Sequence, residues 1–491
     1  MGFLSFGRVS SISKRMNRAV ISTIVVATVG ATGVCESVAQ GEAIIPDKEL
    51  MITNLSVVED ASRTSNSCDP STGLALPVWS FGRLMKDMSG TNDPSDFVLQ
   101  WLRTWKKSQT INGDVIRARA TIEKAVIAPW LARSGGKKLN LGKAPFRLLA
   151  ITFRPDLRDR TKGKGGEGRF IFGVLDKDCM TMEFTVIFEF VLPAASCGET
   201  LQWASQFHAL KNIPFGPSYN GALEAITTTF TTPRPASGRP NGSFLSQLRT
   251  NEIALALDSE WQLREFSLVA AGNKQKAVLQ PVTVKKTPKM SLNNSVALRD
   301  LINKNQKAIL NETFVIPASL LAGASDVTGA PWRARGVVNN NARHKFALNT
   351  CSGCHQTETE VLFVHIGFRE AGQEAELSSY LLGETVNDPV SNTERSFSEI
   401  ERRVSDYSVL LNTKCKGFSG TSVISDTPKN GGEQQFYCEA DQPNNPNGSY
   451  PRLAAGERAS FILGTASVNN PPAVTLSGLE QGCVKAGGPL H

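Results

Sequence analysis

Histidine is scarce in this chain, with five in 491 residues against nine cysteines. Only His208 precedes residue 290, so the first half holds one imidazole base and cannot assemble a Ser/His/Asp relay beyond it. The Gly-rich loop Arg154–Gly168 (RPDLRDRTKGKGGEG) spells neither G-x-x-x-x-G-K-S/T nor G-x-G-x-x-G, and no helix pattern opens behind it, so it reads as a solvated hairpin loop. Charged residues are 20% of the chain and the formal charge is +8, too mild a balance for nucleic acid. Methionine is absent after Met290. No apolar run is long enough for a comfortable membrane span.

The apolar run Ala19–Val34 follows Arg8, Lys14, Arg15 and Arg18 and leads to Ser37-Val38-Ala39. That is the order of a secretory signal, with cleavage expected after Ala39 and a periplasmic or secreted mature chain. Residues 1–39 carry four basic side chains and one acid, Glu36, so cleavage lowers the formal charge from +8 to +5 and removes Cys35. Eight cysteines remain, in a compartment that permits disulfides.

Residues 40–290 are expected to form an α+β scaffold or binding domain. Asp93-Pro94 places a cap before proline at the first helical position, and Phe97, Val98, Trp101, Leu102 and Trp105 recur at helical spacing. A second helix is expected over Val115–Ile127. Phe146–Phe153, Arg169–Leu175 and Met182–Leu192 read as strands of an antiparallel sheet with one face on a core. In the last, Phe184, Val186, Phe188 and Phe190 alternate with Glu183, Thr185 and Glu189. Ser196-Cys197-Gly198-Glu199 fits a capping box, and Leu248–Leu257 with Trp261–Val269 fits a hairpin closed by Asp258-Ser259-Glu260. The polar stretch Lys285–Ser291 reads as a linker to a smaller, mainly α-helical domain at 291–411, with helices at Val296–Leu310 and around Phe397–Leu411. Residues 412–491 read as an irregular, disulfide-containing tail, in which Cys415–Cys438 closes the shortest loop.

The sharpest chemical signal is Cys351-Ser352-Gly353-Cys354-His355. From composition alone, such a C-x-x-C-H arises by chance about once or twice per thousand chains of this kind. Two thiols three positions apart lie along one side of a helical turn, where each can add to a vinyl group of one haem edge, and the next histidine falls beneath the iron. The same residues can form a redox disulfide or half of a zinc site, with His344 and His365 near enough in sequence to complete Cys2His2. A pocket that buried both thiols without room for a porphyrin would favour those two uses.

At this motif the chain resembles c-type cytochromes. The resemblance implies covalent haem c on Cys351 and Cys354, with His355 as proximal iron ligand. The missing downstream methionine departs from a Met/His centre and leaves His365 as candidate distal ligand, with His344, Met290, His208 or an open position as alternatives. Arg333, Arg335, Arg343 and Lys345 are candidate partners for propionates. The longer phrases FALNTCSGCHQTET, FVHI, LSSYLLG, APFRLLAI, GEGRFIFGVLD and FTVIFEF are similar to a family of uncharacterised exported bacterial proteins, which implies no activity. Two functions follow as expectations. One is an exported monohaem protein that transfers single electrons or senses redox state with a redox partner. The other is a disulfide-stabilised envelope binding protein whose CxxCH is a disulfide or zinc site. Residues 40–290 carry no enzyme signature, and a haem peroxidase, which needs an open iron face and a distal acid or base, ranks third.

Overall fold

The computed structural model describes residues 43–68, 76–233, 239–257, 260–271, 276–326 and 329–415. The segment expected to be a signal and the tail cysteines Cys438 and Cys483 lie outside these. Within the described residues no helix is long and apolar enough to cross a membrane.

The chain is α+β and is built on one antiparallel sheet. Its strands are β1 (Met51–Ile52), β2 (Phe146–Arg154), β3 (Lys164–Leu175), β4 (Thr181–Pro193), β5 (Leu245–Glu252), β6 (Gln262–Ala271), β7 (Lys276–Val282) and β8 (Ser325–Asp326). They pair in the order β1-β2-β3-β4-β5-β6-β8, with β7 also on β6. β2 to β7 form a meander in which each strand pairs with the next, so local pairing sets the register.

Alternation along β4 divides its side chains as the sequence implies. Phe184, Val186, Phe188 and Phe190 are fully buried on one face with Phe170 and Phe172 of β3. Helices α1 (Phe81–Ser89) and α2 (Pro94–Leu102) cover this face. Phe81 stacks on Phe146 with centroids 3.6 Å apart, and Trp101 and Trp105 meet Phe266 at 6.0 and 5.2 Å. α3 (Cys197–Ala209) stacks Phe207 on Phe153 at 4.1 Å, and α4 (Pro217–Thr231) brings Phe230 to Phe190 at 5.9 Å. The caps hold: Asp93 accepts from the Asp96 N–H and Ser196 from the Glu199 N–H, each at 3.2 Å.

Several local expectations give way to structure. Asp114–Ile116 is a strand paired with Gln109–Ile111, and the helical turn at Glu123–Ile127 runs on through Pro129 into the helix Ala128–Arg133. Pro129 is tolerated where the wide turn, with the Ala128 N–H donating to the Glu123 carbonyl, passes into the tighter helix. The β5–β6 hairpin forms with Leu248 opposite Phe266, but its connection spans residues 253–261. The helix expected over Val296–Leu310 breaks at Asn305 into α5 (Val296–Lys304) and a short turn, Gln306–Leu310. Cys415 bonds Cys197, not Cys438, and Cys68 bonds Cys179.

The second face of the sheet is also buried. Residues 351–378 lie across it: Ile366 and Ala375 pack on Leu149, Ala150 and Ile171, while Cys351 and Phe363 pack on Trp261, Leu263 and Val284. Residues 292–347, including α6 (Asn340–Leu348), keep a small core around Leu298, Ile302, Trp332 and Phe346. From Leu348 onward the side chains join the main core, including Tyr380, Leu381 and Tyr407, the last on α7 (Glu399–Leu411).

Candidate functional site

The second face carries charge rather than aromatics. Arg169 of β3 lies opposite Glu189 of β4, Glu189 opposite Gln247 of β5, and Arg249 opposite Glu265 of β6. The ion pairs follow this register. Arg169 meets Glu167 at 2.6 Å and Glu189 at 3.3 Å, and Arg249 meets Glu189 at 3.2 Å and Glu265 at 3.3 Å. All five side chains are buried, so each charge depends on its neighbours for solvation. The neighbouring guanidinium of Arg169 and the Lys164 ammonium hold Glu167 well below the usual carboxylate range, against the opposing pull of burial.

Over this face the chain leaves α6 and enters the cysteine motif, then a wide turn at Gly353–Thr357. A side chain at Gly353 would run into the Ala347 carbonyl, so the second spacer of C-x-x-C has to be glycine here. The Thr287 hydroxyl accepts from the Cys351 N–H at 3.0 Å, and Trp332 donates to the Ser352 hydroxyl at 3.0 Å.

Cys351 and Cys354 are buried and not bridged to each other. The expectation that both thiols share one side is met only in part. Cys351 lines a cavity beside Arg249, whereas Cys354 turns into the main core, its Sγ 3.4 Å from His365 Nε2. Burial pushes both thiols up, so each is protonated at neutral pH.

His355 and His365 both line the cavity, with ring centroids 4.4 Å apart. The Phe363 carbonyl can only accept, so the 2.9 Å contact to His355 Nδ1 fixes that nitrogen as N–H and leaves Nε2 with the lone pair. Asn251 donates to the same carbonyl at 2.6 Å. Phe363 reaches this position with φ of 39°, a strained conformation for an aromatic residue. His365 Nδ1 lies 3.1 Å from the Ser378 hydroxyl. Burial lowers both imidazoles, His355 to about 4, so both are neutral and able to act as ligands.

The remaining sequence candidates lie elsewhere. His344 donates through Nδ1 to Glu358 at 2.7 Å, in a buried network where Arg343 pairs with Glu358 and Asp388 and Arg395 with Asp388. His344, Glu358 and Asp388 hold three donor atoms within 4.8 Å of one another, the grouping expected of a metal site, but the two arginines already neutralise both carboxylates. His208 bonds Glu49 at 2.7 Å, and Met290 packs in the small core. Lys345 pairs with Glu312 at 2.6 Å. None of Arg333, Arg335, Arg343 or Lys345 lines the cavity; Arg154, Arg169, Arg249 and Arg403 do. Three of these stand on strands, at polar positions that alternate with side chains buried on the other face. That alternation was visible, but it reads as solvent-facing until a second layer covers the sheet.

The cavity is small, about 60 Å³. That is room for a few waters, whereas pockets for cofactor-sized ligands run to roughly 300–1,000 Å³. Two imidazoles bonded at about 2 Å to opposite sides of one metal hold their ring centres about 6 Å apart, more than the spacing here. The donor set thus suits haem c, while the space suits something smaller.

No family model, curated protein or solved structure matches this chain.

Proposed function

We propose that this is an exported protein, stapled by disulfides, that carries haem c on Cys351 and Cys354 with His355 as proximal iron ligand and passes single electrons or senses redox state. His355 carries the reading. Its Nδ1–H is committed to a backbone carbonyl, so Nε2 is the lone-pair nitrogen of a neutral imidazole on a cavity wall that also holds the Cys351 thiol. Haem held there would supply reversible one-electron chemistry. The chain's own part is to orient His355, to exclude water with the sheet and residues 361–378, and to surround the cavity with cations. Both thiols are buried and the cavity is about 60 Å³, which as packed favours the disulfide or zinc use, so haem requires residues 361–378 to lie farther from the sheet.

A second reading is favoured by size. A tetrahedral zinc site sets sulfur and nitrogen about 3.6 Å apart, close to the 3.4 Å between Cys354 and His365. Cys354 and His365 would supply two of its ligands in a disulfide-stabilised envelope binding protein, and Cys351 and His355 would have to move inward to complete the set, since no three of these four hold donor atoms within 4.8 Å of one another. The test is to produce the chain with its signal in a host that matures cytochromes c. Porphyrin that survives denaturation supports the first reading. A colourless product with one equivalent of zinc supports the second.

A further inference from the structure

A second cavity, of about 20 Å³, lies in the small core. Its wall is apolar, with Ile309, Phe314, Ile316 and Phe346, apart from Lys286, Glu312 and Asn349. Lys286 precedes Thr287, whose hydroxyl accepts from the Cys351 N–H at 3.0 Å, and Asn349 ends α6 just before that cysteine. The cavity therefore adjoins the CxxCH motif without including it.

Lys286 Nζ donates to Asn349 Oδ1 at 3.3 Å, so the amine end of the side chain lies among the lining residues. That neutral amide is its one hydrogen-bond partner among the described residues, and no carboxylate forms an ion pair with it there. Glu312, on the same wall, pairs with Lys345 at 2.6 Å. Lys286 and Glu312 both stand in the left-handed backbone region, with φ of 58° and 54°, a conformation that residues other than glycine adopt at a cost. Burial pushes the Lys286 ammonium down from the ordinary lysine value, and Glu312 opposes that shift. An amine with a single neutral partner in an apolar wall is the setting in which lysine serves as a nucleophile rather than as an ion.

We propose that Lys286 captures a small aliphatic aldehyde as an imine. Nζ attacks the carbonyl carbon, a C–N bond forms, and the carbonyl oxygen takes the proton that the nitrogen gives up. The resulting hydroxyl then leaves as water with the second N–H proton as the C=N bond closes, and Glu312 carries both protons from nitrogen to oxygen. No oxidant or reductant enters the step. The room beside Nζ is that of about one water, which admits the smallest aliphatic aldehydes and excludes aromatic ones. The site is independent of what the cysteines hold.

Reductive trapping tests it. The full secreted chain is treated at neutral pH with limiting acetaldehyde and cyanoborohydride, which fixes an imine as an ethylamine, and is then digested and mapped by mass spectrometry. Lys286 should be ethylated about tenfold faster than the exposed Lys107 and Lys137. That advantage should vanish in urea, and benzaldehyde should show none. Glu312→Gln, with circular dichroism matching the parent chain, should slow ethylation at Lys286 and leave Lys107 and Lys137 unchanged. The proposal is overturned if Lys286 in the folded parent chain is labelled no faster than those two lysines, if its advantage persists in urea, or if benzaldehyde shows the same preference.

Discussion

His355 and Phe363 hold each other through two hydrogen bonds: the imidazole Nδ1–H donates to the Phe363 carbonyl at 2.9 Å, and the Phe363 N–H donates to the His355 carbonyl at 3.1 Å. This loop ties the CxxCH motif to the apolar run that follows it. It also fixes which nitrogen of His355 can bind a metal.

Asn251 braces the loop from the sheet. Its amide donates to the Phe363 carbonyl and its Oδ1 accepts from Trp261 Nε1, whose ring lies 5.6 Å from His355. Asn251→Ala leaves a buried indole N–H without its acceptor. We expect a loss of about 1–3 kcal/mol, read as a lower denaturant midpoint with an unchanged slope.

The ladder on the sheet predicts an asymmetric response. Glu189→Ala leaves Arg169 and Arg249 facing each other across a buried gap and should cost about 3–5 kcal/mol. Glu199→Ala removes an acceptor for the exposed Ala195 N–H at a helix end and should cost no more than about 1 kcal/mol. Equal losses in chemical denaturation would count against a buried ladder.

Acid should weaken the fold in a defined window. His355, His365 and His344 are all held below the ordinary imidazole value by burial. A group depressed in the folded state binds its proton preferentially when unfolded, so stability is full above the unfolded value near 6.5 and is lost as pH falls toward the folded one. For His355, with a folded value of about 4, the loss is about 3 kcal/mol, spread between pH 6.5 and 4. Urea midpoints measured across that range should decline, and His355→Gln should flatten part of the decline.

The disulfides give a direct covalent check. Non-reducing digestion should yield peptides joining Cys68 to Cys179 and Cys197 to Cys415. The second closes a span of 218 residues, so Cys415→Ser should cost about 2–5 kcal/mol by thermal or denaturant unfolding.

The sheet was legible because its strands alternate: the phenylalanines of Phe184–Phe190 can face only a core, and the short connection between β3 and β4 forces those two to pair. Asp93 and Ser196 announced their helices by local hydrogen bonds that need no tertiary partner. Glu189, Arg169 and Arg249 read as solvated because nothing local says that residues 351–378 will cover them. Cys415 was misassigned for the same reason. Loop length favours Cys438, but α7 packing on α3 brings Cys197 beside Cys415, and that contact is tertiary. His355 and His365 were identified as a pair from their residue types, while the strained Phe363 carbonyl that orients His355 leaves no mark in sequence.

The central claim is that Cys351 and Cys354 hold haem. The most direct measurement is the intact mass of the denatured, reduced chain from a cytochrome-maturing host, beside a C351A/C354A control. The account predicts one added haem on the parent chain, none on the control, and a Soret band that remains with the denatured protein. An unmodified parent mass, with both cysteines alkylated by a thiol reagent after unfolding, would contradict it.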